Sequence, residues 1–373
     1  MPYPCRALSC LLFVHALAAH AQPHIVLSGP ATCTECRIEL ERVVAFGDAQ
    51  GPGMLQEQAT VATDRRGRFY VSSNYDPTIV VFDRRGRFLA NVGRKGIGPG
   101  EINYRPTILF GARDTLYAMD LDSRRLTVFS PEYKFVRTAT VAHGATYVVS
   151  TPDGGFLLAG RARSREGIDY PLHVVDSKGA GIRSFGSTTG ELDLYSPTES
   201  ERRLAVPRGG IVWTSRLDAY VLEQRSLDGK RLAHLTRQVP WFPPGLRISQ
   251  VQNRNNPGQF KERPVPRIRA ISEDSAGLVW TVSVVADRDF KPRTLPTAPS
   301  GHGWYIPDSL WHKLHDSVLE VIDPSRGQVL ASRTFDTAFL EFIAPNLLVS
   351  FEEDGDGNPR YVVWRTRLVA PSR

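Results

Sequence analysis

The stretch Asp64-Arg-Arg-Gly-Arg-Phe-Tyr-Val71 returns almost at once as Asp83-Arg-Arg-Gly-Arg-Phe-Leu89, with Ile79-Val-Val-Phe82 in front of the second copy. Short β-branched and aromatic runs alternate with turn residues, the pattern of strands joined by tight turns. Asp114-Thr-Leu-Tyr117, Leu126-Thr-Val-Phe129 and Phe135-Val-Arg-Thr138 make a second unit. Gly154-Gly-Phe-Leu-Leu158, His173-Val-Val-Asp176 and Ile182-Arg-Ser-Phe-Gly186 make a third. A fourth holds Gly210-Ile-Val-Trp213, Tyr220-Val-Leu222 and Leu232-Ala-His-Leu235. Gly277-Leu-Val-Trp280 with Leu319-Glu-Val-Ile-Asp323, and Asn346-Leu-Leu-Val-Ser350 with Tyr361-Val-Val-Trp364, mark a fifth and a sixth. The turn markers Asp83, Ser130, Asp176, Asp228 and Asp323 stand 47, 46, 52 and 95 residues apart. The first three spacings are each one repeat of roughly 40–50 residues; the last is one repeat plus an insertion. A four-stranded sheet cannot bury both faces alone, so such units stack radially. The expected fold is all-β, a six-bladed β-propeller of four-stranded antiparallel blades.

The sixth unit stops after its third strand, near Arg367, while Arg37-Ile-Glu-Leu-Glu-Arg-Val-Val-Ala-Phe-Gly47 is a spare alternating segment at the other end. Pairing the two closes the ring and removes two exposed sheet edges. Residues 37–46 are therefore expected as the outer strand of the blade holding 346–367, with a helix as the competing reading. The innermost strands are expected near 58–63, 105–110, 145–150, 201–206, 267–272 and 338–343.

Of 373 residues, 41% are hydrophobic and 23% charged, which argues against disorder and fibres. Residues 1–21 read as a secretory signal peptide: Arg6, an apolar run, then Ala19-His20-Ala21 as a cleavage site. That run is shorter than the roughly 20 residues a membrane span needs, and the mature chain holds no transmembrane segment. The expected location is secreted or periplasmic after cleavage near Ala21. Residues 22–36 form an N-terminal lead and 37–373 the propeller, with insertions near 238–266 and 287–316. The lead carries Cys33-Thr-Glu-Cys36, which reads as a local disulfide in an oxidising compartment. The net charge is +7, but only seven basic residues are Lys. An Arg skew of this kind follows from a GC-rich genome, and export argues against a nucleic-acid partner.

Tyr117-Ala-Met-Asp-Leu-Asp-Ser-Arg-Arg-Leu-Thr-Val-Phe129 resembles an NHL repeat, and Gly93-Arg-Lys-Gly-Ile-Gly-Pro-Gly-Glu101 resembles the loop that joins such repeats. Gly47-Asp-Ala-Gln-Gly-Pro-Gly53 is a degenerate copy one unit earlier. The chain is similar to exported bacterial six-bladed propellers of the NHL/TolB-like type. The match is good over residues 60–141 and weak beyond, so the resemblance implies a fold and not a reaction. Within it, Asp120 and Arg125 are expected to form a cross-strand ion pair.

No nucleophile elbow is present. A lactonase-like metal hydrolase or lyase would need channel-facing Glu, Asn and Asp, for which Glu101 and Asn103 are candidates. Glu352-Glu-Asp-Gly-Asp-Gly-Asn358 spaces carboxylates as calcium loops do, but departs from the EF-hand pattern and reads as a polar hairpin. No cofactor is expected, with calcium left open, and the alternative function is a metal-dependent hydrolase or lyase using the central channel. His312 and His315 read as packing or solvent-exposed residues in an insertion rather than metal ligands. In an up-and-down blade, links from an outer strand to the next inner strand emerge on the same side as turns between the two middle strands. Both insertions therefore rise from one face, with Trp241, Trp304, Tyr305 and Trp311. The basic run Arg247, Arg254, Lys261, Arg263, Arg267 and Arg269 lies within or beside them. Arginine with aromatics is the composition of binding hot spots. The expected function is a binding or interaction module. Its ligand is an anionic peptide or glycan, or a loop of an envelope or extracellular protein. The expected ligand residues are Arg105, His143, Arg165, Arg247, Arg263 and Trp304.

Overall fold

The computed structural model describes residues 24–73, 76–163, 169–186, 201–217, 219–243, 259–260, 262–296 and 306–370. Two strands open the chain, β1 (His24–Ser28) and β2 (Arg37–Phe46). Blade one is β3 (Ala59–Thr63), β4 (Phe69–Ser73), β5 (Ile79–Phe82) and β6 (Phe88–Val92); blade two is β7 (Thr107–Phe110), β8 (Leu116–Asp120), β9 (Arg125–Phe129) and β10 (Phe135–Thr140). Blade three is β11 (Tyr147–Ser150), β12 (Phe156–Arg163), β13 (Asp169–Val175) and β14 (Gly181–Phe185). Blade four is β15 (Arg202–Leu204), β16 (Ile211–Arg216), β17 (Val221–Ser226) and β18 (Arg231–Gln238). After a short strand β19 (Gln259–Phe260), blade five starts with β20 (Arg267–Glu273) and β21 (Val279–Ala286). An insertion with β22 (Arg293–Thr294) and the one-turn helix α1 (Asp308–Trp311) precedes its remaining strands, β23 (His315–Asp323) and β24 (Gln328–Phe335). Blade six is β25 (Phe339–Ala344), β26 (Leu347–Glu353) and β27 (Pro359–Val369), completed by β2.

The turns explain why the repeat is so visible. At Asp64, Asp83, Asp176 and Asp274 one carboxylate oxygen accepts the amide N–H groups two and four residues on, at 2.8–3.0 Å. The glycine three residues on, Gly67, Gly86, Gly179 or Gly277, has φ between +74° and +88°. A side chain there would be strained, so the Asp-x-x-Gly pattern is a requirement of the turn. Asp354 closes the β26–β27 hairpin the same way, taking the amides of Asp356 and Asn358 and the Asn358 side chain. Both Asp354 oxygens serve their own turn.

Each blade interface has its own apolar core. Tyr70, Ile79 and Leu116 lie between blades one and two, and Met119, Leu126 and Phe156 between two and three. Leu157, Leu172 and Val212 lie between three and four, and Trp213, Leu235 and Ile271 between four and five. Trp280, Leu319 and Phe339 join five to six, and Phe46, Phe82 and Tyr361 join six to one. Both faces of every blade are thus covered, and the inner strands contact one another in a closed circle, β3–β7–β11–β15–β20–β25–β3.

β2 runs antiparallel to β27 from Arg37↔Val369 to Phe46↔Tyr361, so residues 37–46 are a strand of the last blade. The register shifts between Arg42 and Val44. The extra residue moves later side chains to the other face. Ile38 accordingly packs toward blade five, whereas Val44 and Phe46 pack toward blade one.

The lead holds a strand that sequence reading missed. β1 pairs in parallel with β18, from His24↔His234 to Ser28↔Gln238, giving blade four a fifth strand. Thr32 and Cys33 then bond β24 of blade five through the carbonyls of Val329 and Leu330. Cys33 and Cys36 are disulfide-bonded just before β2 begins. The lead thereby crosses the rims of blades four, five and six.

The expected Asp120–Arg125 ion pair does not form, although the two residues are cross-strand neighbours. Asp120 is occupied by Asp122 and Ser123 of its own turn, and Arg125 reaches back to the Gly98 carbonyl at 2.8 Å.

Candidate functional site

The six inner strands enclose a central channel of about 800 Å³. Successive side chains of a strand point to opposite sides, so each inner strand offers alternate residues to the channel. Among the channel-lining residues, one comes from each blade in turn: Thr60, Arg105, Tyr147, Arg203, Arg269 and Glu341. These lie on, or just before, the first half of their strands, the end that faces the insertions.

Side chains from this set, with Ser150 deeper in the channel, tie each blade to the next. Thr60 donates to the Pro106 carbonyl at 2.9 Å and Ser150 to Phe110 at 3.0 Å. The Arg203 guanidinium lies over the Tyr147 ring at 5.1 Å, while its Nε donates to the Arg269 carbonyl at 3.1 Å. Arg269 Nε donates to the Leu340 carbonyl at 3.0 Å, and the Val61 amide donates to Glu341 Oε1 at 3.2 Å, closing the circle. Arg105 adds a bond from Nη1 to the Gln58 carbonyl at 2.9 Å.

The charges are unbalanced. Among the described residues, no carboxylate forms an ion pair with Arg105, Arg203, Arg267 or Arg269. Burial, together with the neighbouring guanidiniums, lowers Arg267 to about 9 and Arg269 to about 10. Both still carry a proton at neutral pH. Burial pushes the Glu341 carboxyl up and the Tyr147 phenol up to about 12.

The insertion in blade five forms a strap beside this ring. Asp308 accepts the Gln58 amide at 2.6 Å and the Tyr361 hydroxyl at 3.1 Å, and the Ser309 amide donates to Glu57 at 3.1 Å. These bonds reach blades one and six. Trp311 then stacks on His315, with ring centroids 3.9 Å apart, and lies under Arg267 at 4.7 Å and Arg269 at 5.5 Å. β19 and β22 pair, so the two insertions meet. At the base of the strap, oxygens of Asp287, Asp316 and Asp336 lie within 4.8 Å of one another. Asp316 takes the Arg288 amide at 3.3 Å, with the Arg288 guanidinium at 3.8 Å.

Of the residues expected from sequence, Arg105 lines the channel. Arg263 does not: it is exposed and donates to the Arg288 carbonyl at 2.8 Å. His143 stacks on His173 with centroids 4.3 Å apart, in blade three and outside the channel lining. Trp241 packs on Tyr220 and Phe242 at the rim of blades four and five. His312 and His315 part company, because His315 is a buried residue of β23. Glu101 bonds Arg94 at 2.8 Å and the Gly98 amide at 2.7 Å in the blade-linking loop, and neither it nor Asn103 lines the channel. Arg165, Arg247, Trp304 and Tyr305 lie outside the described residues. Tyr147, Arg203 and Glu341 were missed, and Arg269 was read only as part of a basic run. The available signal was one polar residue inside an otherwise apolar inner strand, as in Phe339-Leu-Glu-Phe-Ile343.

Residues 56–204, blades one to three and the first strand of blade four, match a family model described as a 6-bladed beta-propeller (DUF5128). A Bacteroides fragilis protein described as exported is similar in structure, with a TM-score of 0.59 at 10% identity over 92% of this chain and 100% of that one. A DUF4221 family member from Bacteroides vulgatus gives 0.55 at 12% identity over 90% and 99%. At such identities the likeness is one of fold. No curated protein matches this chain significantly.

Proposed function

We propose that this chain is an exported binding module that takes an anionic ligand in its central channel, from the side carrying the insertions. The observation that carries this reading is the ring itself. Arg65, Arg105, Arg203 and Arg269 line one cavity against Asp122 and Glu341, and none of the three ring cations Arg105, Arg203 and Arg269 has an ion-pair partner among the described residues. Desolvating cations without counter-charge is costly, and an anionic ligand offsets that cost. Arg105, Arg203 and Arg269 bind the anion, and Trp311 holds the Arg269 plane. Arg165, Arg247, Arg263 and Trp304 are proposed to guide the ligand inward. Residues 1–21 act as the signal peptide, which places the mature protein in the periplasm or outside the cell.

Thermal-shift and calorimetric titrations of the mature protein test the reading, using oligogalacturonate, polyglutamate and inorganic phosphate at fixed ionic strength. At least one anion is expected to bind and raise Tm, and the double variant Arg203→Met/Arg269→Met is expected to lose the response. If no anion binds, or if the folded double variant binds equally well, the reading fails.

A further inference from the structure

The ring also says what kind of anion it suits, given that the channel is an anion site at all. We infer that its ligand carries two carboxylates separated by hydroxyl-bearing carbons. This is the chemistry of paired uronate sugars and of free hydroxy-dicarboxylic acids.

Charge comes first. Arg65, Arg105, Arg203 and Arg269 line the cavity against Asp122 and Glu341, leaving two positive charges in a confined space. Electrostatic interactions strengthen as water is excluded, so a dianion is neutralised where a monoanion leaves one charge over.

Placement comes second. The three arginines stand on blades two, four and five, each held by a bond to a backbone carbonyl of another segment. These anchors leave Arg203 and Arg269 on adjacent blades, near enough to feel each other's charge, and Arg105 across the ring on blade two. One phosphate held by Arg203 and Arg269 leaves Arg105 across the ring without a partner anion. Two separated carboxylates can each take the free N–H edge of a guanidinium, the geometry Arg favours.

Glu341 comes third. One of its oxygens accepts the Val61 amide at 3.2 Å, and its other oxygen has no protein donor among the described residues. A ligand lying against it must bring a donor rather than another lone pair, and a hydroxyl does so. Glu341 is thus a specificity-determining residue. The cavity of about 800 Å³ lies within the usual range for ligand sites, roughly 300–1,000 Å³, and has room for two sugar rings.

The test is calorimetry on the mature full chain at constant ionic strength with four probes: digalacturonate, tartrate, succinate and inorganic phosphate. A lost hydrogen bond to a charged group is worth about tenfold or more in affinity. Tartrate is therefore expected to bind at least about tenfold tighter than succinate, which lacks hydroxyls, and phosphate to bind more weakly still. Glu341→Gln is expected to strengthen succinate binding and shrink the tartrate preference to less than about threefold, because the repelling charge is gone. The wild-type preference decides the matter alone if E341Q does not fold. Digalacturonate binding tighter than tartrate assigns a glycan source, and the reverse assigns a free acid. Succinate or phosphate matching both hydroxylated probes overturns this inference and leaves the anion site standing. No binding by any probe, together with no response to the wider anion panel, removes both.

Discussion

At the residue scale, two buried polar arrangements are worth separating from the channel. Glu320 is fully buried and accepts Arg237 through both oxygens, at 3.2 and 2.9 Å, and Tyr220 at 2.7 Å. Arg237 spends its remaining donors on the carbonyls of Leu27 and Gly29. This cluster is fully satisfied and reads as architecture, pinning β1 to blades four and five. Arg237→Met should cost about 3–5 kcal/mol, since it strands a buried carboxylate. Urea unfolding should show most of that loss recovered in Arg237→Met/Glu320→Leu, where the carboxylate is gone as well. His173 and His315 bear on pH. Burial, with the neighbouring His143, brings His173 down to about 4; burial, with Arg267, brings His315 down to about 3. Both native values lie below the unfolded one, so the unfolded chain takes up protons first as pH falls. Stability is therefore whole above about pH 6.5 and declines below it, by up to about 1.4 kcal/mol per pH unit for each histidine. Melting curves between pH 7 and 5 should show the decline, and His173→Asn should lessen it, leaving the share of His315. An equal decline in that variant would contradict the assignment.

The element that decides closure is β2. Its bulge at Val43 lets one strand serve two interfaces, with Ile38 facing blade five and Phe46 facing blade one. Deleting Val43 should therefore cost far less than removing the Phe46 ring, about 3–5 kcal/mol, because Val44 would follow Arg42 directly, opposite Val363, and alternation keeps Val44 and Phe46 toward blade one. Circular dichroism melts of the deletion beside Phe46→Ala would decide it, and a deletion that melts as low as Phe46→Ala would contradict this register. β2 was legible because its apolar alternation had nowhere else to pair. β1 was not, since His24-Ile-Val-Leu-Ser28 is too short to stand out and its partner lies more than 200 residues away.

For the whole molecule, the channel sets binding against stability. Arg203 and Arg269 repel each other across an inter-blade contact, so neither is there for its charge if the fold alone mattered. Replacing either with Met should change the stability of the ligand-free protein by no more than about 1 kcal/mol, while abolishing ligand-induced stabilisation. A Tm shift under ligand that survives in both variants would contradict this. The blade count, the strand positions and the closing strand could be read directly from the residues. Their causes are local: an Asp-x-x-Gly turn is complete within five residues, and strand alternation within about six. The ring of Thr60, Arg105, Tyr147, Arg203, Arg269 and Glu341 had no such local cause. Each member is a polar residue in or just before a short strand whose two sides look alike until the neighbouring blades are in place. Closure of the circle brings together positions as far apart as Thr60 and Glu341 and leaves three arginines facing one acid. The order of strands was therefore determined by the sequence itself, and which charges share a cavity only by the closed tertiary structure.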